Sequence, residues 1–218
     1  MKYLIITFVT IVLTGCGKPE TPDISIHDAV VRKNIKLINQ HLASGTDVNS
    51  TNIDKELLGP KKHLAGASPL ILAINLGYYE IIKMLISEGA DVNAKTNKKL
   101  TALMISAGIT DLQAVQLLIK NGANINAKGR GGITALHLTV SIPQAKMKNA
   151  LVAENRKYNA SHHKRIIEFL ISNNANINAQ ADNGKTPLDV AVSENPQVAG
   201  ILIKHGAKKS KELKAKVE

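Results

Sequence analysis

Cysteine occurs once in the 218 residues, at Cys16, and tryptophan not at all. A single thiol excludes an intrachain disulfide framework and a zinc–thiolate site, so any core must be held by packing. Two Phe and four Tyr are too few to build the stacking platforms that bind single-stranded nucleic acid. No apolar run approaches the roughly 20 residues that cross a bilayer. Acidic residues are also scarce, 17 against 28 Lys and Arg, which leaves a formal charge of +11. That deficit favours an acidic partner or an anionic lipid surface, with nucleic acid disfavoured by the missing aromatics.

Catalytic signatures are missing too. Ser and His are scattered without a nucleophile-elbow sequence, and "KGRGGIT" (Lys128 to Thr134) lacks the Gly-Lys-Ser/Thr ending of a phosphate-binding loop. With no constellation to name, the chain reads as a non-enzyme with no cofactor and no metal site. His162 and His163 are adjacent. Neighbouring side chains on a helix do not face the same way, so the pair reads as solvated loop.

What is present begins at the N-terminus. Lys2 followed by the apolar stretch Tyr3 to Leu13 has the build of a signal peptide. The sequence Leu13-Thr14-Gly15-Cys16 after it resembles a bacterial lipobox. That resemblance implies cleavage before Cys16 and lipidation of its sulfur, and more than one acyl chain suffices for stable anchoring. Residues 1–15 are then signal peptide and 16–23 a lipidated linker. The mature chain keeps a charge of +10 once Lys2 is lost. Gly17 after the cysteine, where an aspartate would imply inner-membrane retention, points to the inner leaflet of the outer membrane, facing the periplasm.

Self-similarity decides the fold. "SEGADVNA" (Ser87 to Ala94), "KNGANINA" (Lys120 to Ala127) and "SNNANINA" (Ser172 to Ala179) are copies of one turn, with "ASGTDVNS" (Ala43 to Ser50) before them and "KHGAKKS" (Lys204 to Ser210) after. Upstream of these turns stand "SPLILA", "TALMIS", "TALHLT" and "TPLDVA", and Leu70, Leu103 and Leu136 follow at intervals of 33. Ser68, Thr101, Thr134 and Thr186 can cap a first helix, with Pro69 and Pro187 at its first position. Apolar residues such as Ile81, Ile82 and Leu85, then Val115, Leu118 and Ile119, give a second helix a stripe to bury. Gly45, Gly89, Gly122 and Gly206 supply a left-handed cap, and Asn174 is the residue best able to replace glycine there.

These motifs resemble the ankyrin repeat. The resemblance implies an all-α solenoid of about five repeats over 24–208, with β-turn fingers between helix pairs and a basic tail at 209–218. The first repeat has Asn39, Gln40 and His41 where others carry apolar residues, as suits a cap with one wet face. Asn49 and Asn93 are 44 apart and Asn126 and Asn178 are 52 apart. Insertions therefore enter before repeat 2, within Ser50 to Ala67, and within repeat 4, roughly Ile142 to His162. The stretch Lys148 to Ala160 is rich in helix formers. His137 falls at the hallmark histidine, and His27 aligns with it; both are expected to hydrogen-bond across repeats.

The family resemblance also implies a binding surface made of fingers and first helices. Carried onto this chain it comprises Lys95, Lys98, Lys99, Lys128, Arg130 and Lys185 on the fingers, with Asn75, Leu76, Met104 and Ser141 on the first helices. Lys146, Lys148, Arg156 and Lys157 add charge from the insertion, giving one strongly positive edge. The expected partner is one protein, acidic on its contact face, with the unbound chain a monomer anchored by lipid. Some lipidated bacterial ankyrin proteins of this layout are immunity proteins against type VI secreted phospholipase toxins, and that role is the specific expectation. An envelope scaffold for another periplasmic enzyme and a structural lipoprotein on anionic lipid are the alternatives.

Overall fold

The computed structural model describes residues 20–51, 64–141 and 160–215, with side chains of the last block from His163 onward. The signal segment, Cys16 and Lys146, Lys148, Arg156 and Lys157 lie outside the described residues, as do both insertions apart from their ends. Helices pair along the chain as α1 (Ile26–Val31) with α2 (Ile35–Ala43), α3 (Pro69–Leu76) with α4 (Tyr79–Ser87), and α5 (Ala102–Gly108) with α6 (Leu112–Lys120). Next come α7 (Ala135–Val140) with α8 (Ala160–Ser172), α9 (Pro187–Glu194) with α10 (Pro196–Lys204), and a last helix α11 (Ser210–Lys214). Among the described residues there is no strand, only an isolated antiparallel bridge between Lys95 and Thr101. First helices stack in the order α1, α3, α5, α7, α9, while α6, α8 and α10 pack in a parallel row behind them. The result is a five-repeat array.

Local chemistry explains each unit. The Oγ atoms of Ser68, Thr101, Thr134 and Thr186 accept the main-chain N–H three residues on, and Pro69 and Pro187 open their helices at positions where no N–H is needed. At the other end of each repeat the chain reverses through a left-handed residue, with φ between 83° and 84° at Gly45, Gly89, Gly122 and Gly206 and 66° at Asn174. Leu70, Leu103 and Leu136, second residues of successive first helices, are at most 1% exposed, as are Ile82, Leu85, Leu118 and Leu170 on the second helices. These residues belong to one continuous core, so each repeat is stabilised by its neighbours.

One expectation changes. His41 is not on a wet face: it is 4% exposed, with Nδ1 3.1 Å from Thr46 Oγ1 and Nε2 2.7 Å from the Ile24 carbonyl. Asn39 and Gln40 beside it are exposed. Residues 209–215, within the segment whose charge suits either the other cap or a frayed tail, form α11 and bond to the last repeat: Ser210 N–H donates to Asp189 Oδ2 at 2.9 Å, and just before it Thr186 Oγ1 donates to the Lys208 carbonyl at 2.8 Å.

Candidate functional site: a basic finger edge

Each finger is a short hairpin closed by its own main chain. In residues 95–101, Thr96 N–H donates to the Leu100 carbonyl at 2.9 Å, and Lys99 turns the chain with φ 58°. In the next, Gly129 N–H reaches the Ile133 carbonyl at 2.8 Å, and in the last Ala181 N–H reaches that of Lys185 at 3.0 Å. Fingers also bond to one another. Asn97 N–H donates to Ala65 at 2.8 Å and Asp182 N–H to Gly131 at 2.9 Å. Gly132, with φ 69°, permits the second approach, since a Cβ there would sit 2.8 Å from the Asp182 nitrogen. Lysines run the same way: Lys95 Nζ lies 3.4 Å from the Lys128 carbonyl and Lys128 Nζ 3.1 Å from that of Gln180.

Beneath the fingers lies a second tie. Asn49, Asn93, Asn126 and Asn178 each accept, at 2.7 Å, an N–H from the following repeat, donated by Asp91, Asn124, Asn176 and Lys208. Asn93 and Asn126 also donate back, to the Gly122 and Asn174 carbonyls at 3.1 and 3.0 Å. The recurrence of Asn four residues after the first four of the left-handed turns that end the repeats was the signal for this ladder, but sequence reasoning gave it no role. His27 and His137 do bond across repeats, to the carbonyls of Ala67 at 3.1 Å and Lys185 at 3.2 Å. Burial lowers the pKa of both below the ordinary 6.5, and Lys128 adds to this at His137.

Lys95, Lys98, Lys99, Lys128, Arg130 and Lys185 are all exposed. None has a carboxylate within 4.0 Å among the described residues, where the ion pairs Arg32–Asp28, Lys83–Glu80 and Lys164–Glu168 all lie within helices. Asp182 is the acid that lies within a finger. The fingers thus hold a row of uncompensated cations on a backbone that is already ordered.

The remaining expected residues fall elsewhere. Met104 is 1% exposed, packed so that its sulfur lies 3.1 Å from where a Gly129 Cβ would be; it supports the finger from below and offers nothing to a partner. Asn75, Leu76 and Ser141 are half-buried at the C-terminal ends of α3 and α7, whereas the fingers lead into the N-terminal ends. The repeat 4 insertion departs after Ser141 and returns at Ala160. Its attachment is therefore about 9 Å from the fingers along a six-residue α7. The insertion residues Lys146, Lys148, Arg156 and Lys157, expected to extend the positive edge, lie outside the described residues. Leu138 and Val190, half-buried on α7 and α9, were not singled out from the sequence.

His163 is a further correction. It lies in α8, is 1% exposed, and its Nε2 donates to the Thr139 carbonyl at 2.7 Å. A second concavity of about 490 Å³ opens between α6, α8 and α10, lined by residues including Gln116, Arg165, Phe169 and Lys204. Among the described residues no cluster of three or more His, Cys, Asp or Glu could hold a metal ion, and no helix is long and apolar enough to cross a membrane.

No curated protein matches the chain. The family profile of ankyrin repeats (3 copies) matches residues 26–129 and 70–162, and that of the single ankyrin repeat matches 183–211. These matches cover more than half of the sequence and coincide with the stacked helix pairs. The chain belongs to the ankyrin-repeat family, whose fold serves as a protein-interaction scaffold without chemistry of its own.

Proposed function

We propose that this protein is a periplasm-facing lipoprotein whose array captures one protein partner, acidic on its contact face, along the finger edge. The observation that carries the reading is the row of six exposed cations on mutually bonded fingers, none with a carboxylate within 4.0 Å among the described residues. A preformed row lowers the ordering cost of binding, and its field speeds encounter with an acidic surface. The envelope address rests on the apolar Tyr3 to Leu13 stretch and on Leu13-Thr14-Gly15-Cys16. A tethered module with no catalytic constellation suits a neutraliser, so the partner we favour is a secreted toxin, such as a phospholipase, met where it enters the cell.

Capture by the chain from lysates containing secreted proteins, beside a variant reversed to Glu at Lys98, Lys99, Lys128 and Arg130, tests the reading. One stoichiometric partner, lost on reversal and inactive while bound, is the expected result. A partner that stays active in the complex would replace neutralisation with scaffolding. Retention on protein-free anionic vesicles without any protein partner would overturn capture altogether. Substitution Cys16→Ser is expected to abolish lipid labelling and release the protein from the membrane fraction.

A further inference from the structure

Helix α7 is six residues long, and an imidazole pins it at each end. At its start His137 Nδ1 accepts Thr134 N–H at 3.3 Å, while Nε2 donates to the Lys185 carbonyl in the next finger at 3.2 Å. At its end His163, reaching over from α8, donates to the Thr139 carbonyl. Main chain fills that second place in every other repeat. There the N–H of Asn34, Tyr78, Asp111 or Asn195 donates to the carbonyl of Ala29, Ala73, Ser106 or Ala191, at 2.8 to 3.0 Å. In repeat 4 the residues at the position of that N–H lie outside the described ones, and among the described residues the group that donates to the equivalent carbonyl is the His163 ring. Repeat 3 supplies an internal control, with Met104 at the position of His137 and the Asp111 N–H at the position of the His163 ring.

We propose that repeat 4 is a proton-sensitive joint: acidification loosens α7 and the finger 180–186 from the array while repeat 3 stays closed. On the binding reading above, this would weaken the hold of the Lys185 finger on the partner. The bonding fixes the neutral Nε2–H tautomer at His137. A proton added at Nδ1 converts the acceptor of Thr134 N–H into a second donor facing it, leaving only Thr134 Oγ1, 2.9 Å away, to receive it. His163, 1% exposed, would carry its new charge into the core.

Among the described residues, charges do not rescue either ring. The fingers and α9 beside His137 carry Lys128, Arg130 and Lys185 against Asp182 and Asp189, and of these Lys128 lowers the His137 pKa further. α5 carries no charged residue, and α9 carries Asp189 and Glu194. Around His163, α8 itself bears Lys164, Arg165 and Glu168, α6 bears Lys120 with Asp111 at its cap, and α10 bears Lys204. Burial dominates both rings and lowers their pKa below 6.5. The unfolded segment therefore binds more protons than the folded one once the pH drops below that value. Local stability is complete above pH 6.5 and falls as the pH drops toward the folded pKa, by up to about tenfold in the opening equilibrium per pH unit for each ring.

Amide hydrogen exchange on the full chain at pH 7.5 and 5.5, corrected for the intrinsic pH dependence of exchange, tests this repeat by repeat. Opening of α7 and of residues 180–186 is expected to rise relative to α5 and α6, by up to about tenfold for each ring. His163→Gln, which keeps a donor but cannot titrate, is expected to remove the component of the response at the end of α7. Parallel loss of protection in repeats 3 and 4, or an unchanged response in the variant, would overturn the joint. Should the variant fail to fold, NMR titration of the imidazoles in the unsubstituted chain decides, since either ring titrating at or above 6.5 would also overturn it. None of these readouts needs a partner, so the joint and the binding reading fail separately.

Discussion

Asn126 accepts the Asn176 N–H at 2.7 Å and donates to the Asn174 carbonyl at 3.0 Å. One side chain thereby satisfies two main-chain groups of the next repeat, across the turn that follows the longer insertion. Asn126→Ala is expected to cost about 1–2 kcal/mol in a urea melt. Asn126→Asp keeps the acceptor but loses the donor, and should cost less. Gly132 makes the complementary case, where the need is for an absent side chain. Its φ of 69° and the 2.8 Å separation between a would-be Cβ and the Asp182 nitrogen mean that Gly132→Ala must push neighbouring fingers apart. A loss of about 1–3 kcal/mol is expected. Gly131, with φ 73° and open space at its Cβ, meets only the backbone penalty, so Gly131→Ala should be the milder of the pair by the same melt.

At the scale of the helix, the readable features were those whose cause is local. Caps at Ser68, Thr101, Thr134 and Thr186, and the left-handed turns at Gly45, Gly89, Gly122, Asn174 and Gly206, follow from neighbours within four residues and were legible in the sequence, whereas left-handed Lys33, Lys99 and Thr110 were not. His163 was misread because its partner Thr139 is 24 residues away, across an insertion that obscures register. The 52-residue offset from Asn126 to Asn178 places it opposite Asp111 of repeat 3, which was the available clue. Met104 was misread for the opposite reason: family pattern put it on a binding face, whereas packing under Gly129 buries it. The finger cations were legible as residues, but their mutual bonding, which makes them a row, was not. Within α10 the sequence runs against helix propensity at Gly200, exposed in mid-helix with nothing within 4 Å of a would-be Cβ. Gly200→Ala is expected to stabilise the protein by about 0.5–1 kcal/mol, read as a higher urea midpoint at an unchanged slope.

For the whole molecule, buried titratable groups divide acid unfolding into two stages. His27, His137 and His163 have pKa values lowered chiefly by burial, so they are neutral in the native state at pH 7 and charge on unfolding. Their contribution is complete above 6.5 and is lost as the pH falls through the folded values, at a slope of up to about 1.4 kcal/mol per pH unit for each ring. Asp189 acts lower. Burial works against its charge, but hydrogen bonds from Thr186 and Ser210 outweigh that and bring the pKa below 3.8. The stability it contributes is present above 3.8 and disappears as the pH drops through the folded value, which frees α11 and the end of the array. Urea midpoints are therefore expected to decline as the pH falls below 6.5, level off once it passes the folded values of the rings, and decline again below about 3.8. Replacing His27, His137 and His163 by Gln would lower stability at pH 7 where bonds are lost, yet should flatten the first decline and leave the second. A first decline of undiminished slope in that triple variant would mean that the carboxylates alone set the acid response, and that burying three imidazoles has no consequence for the array.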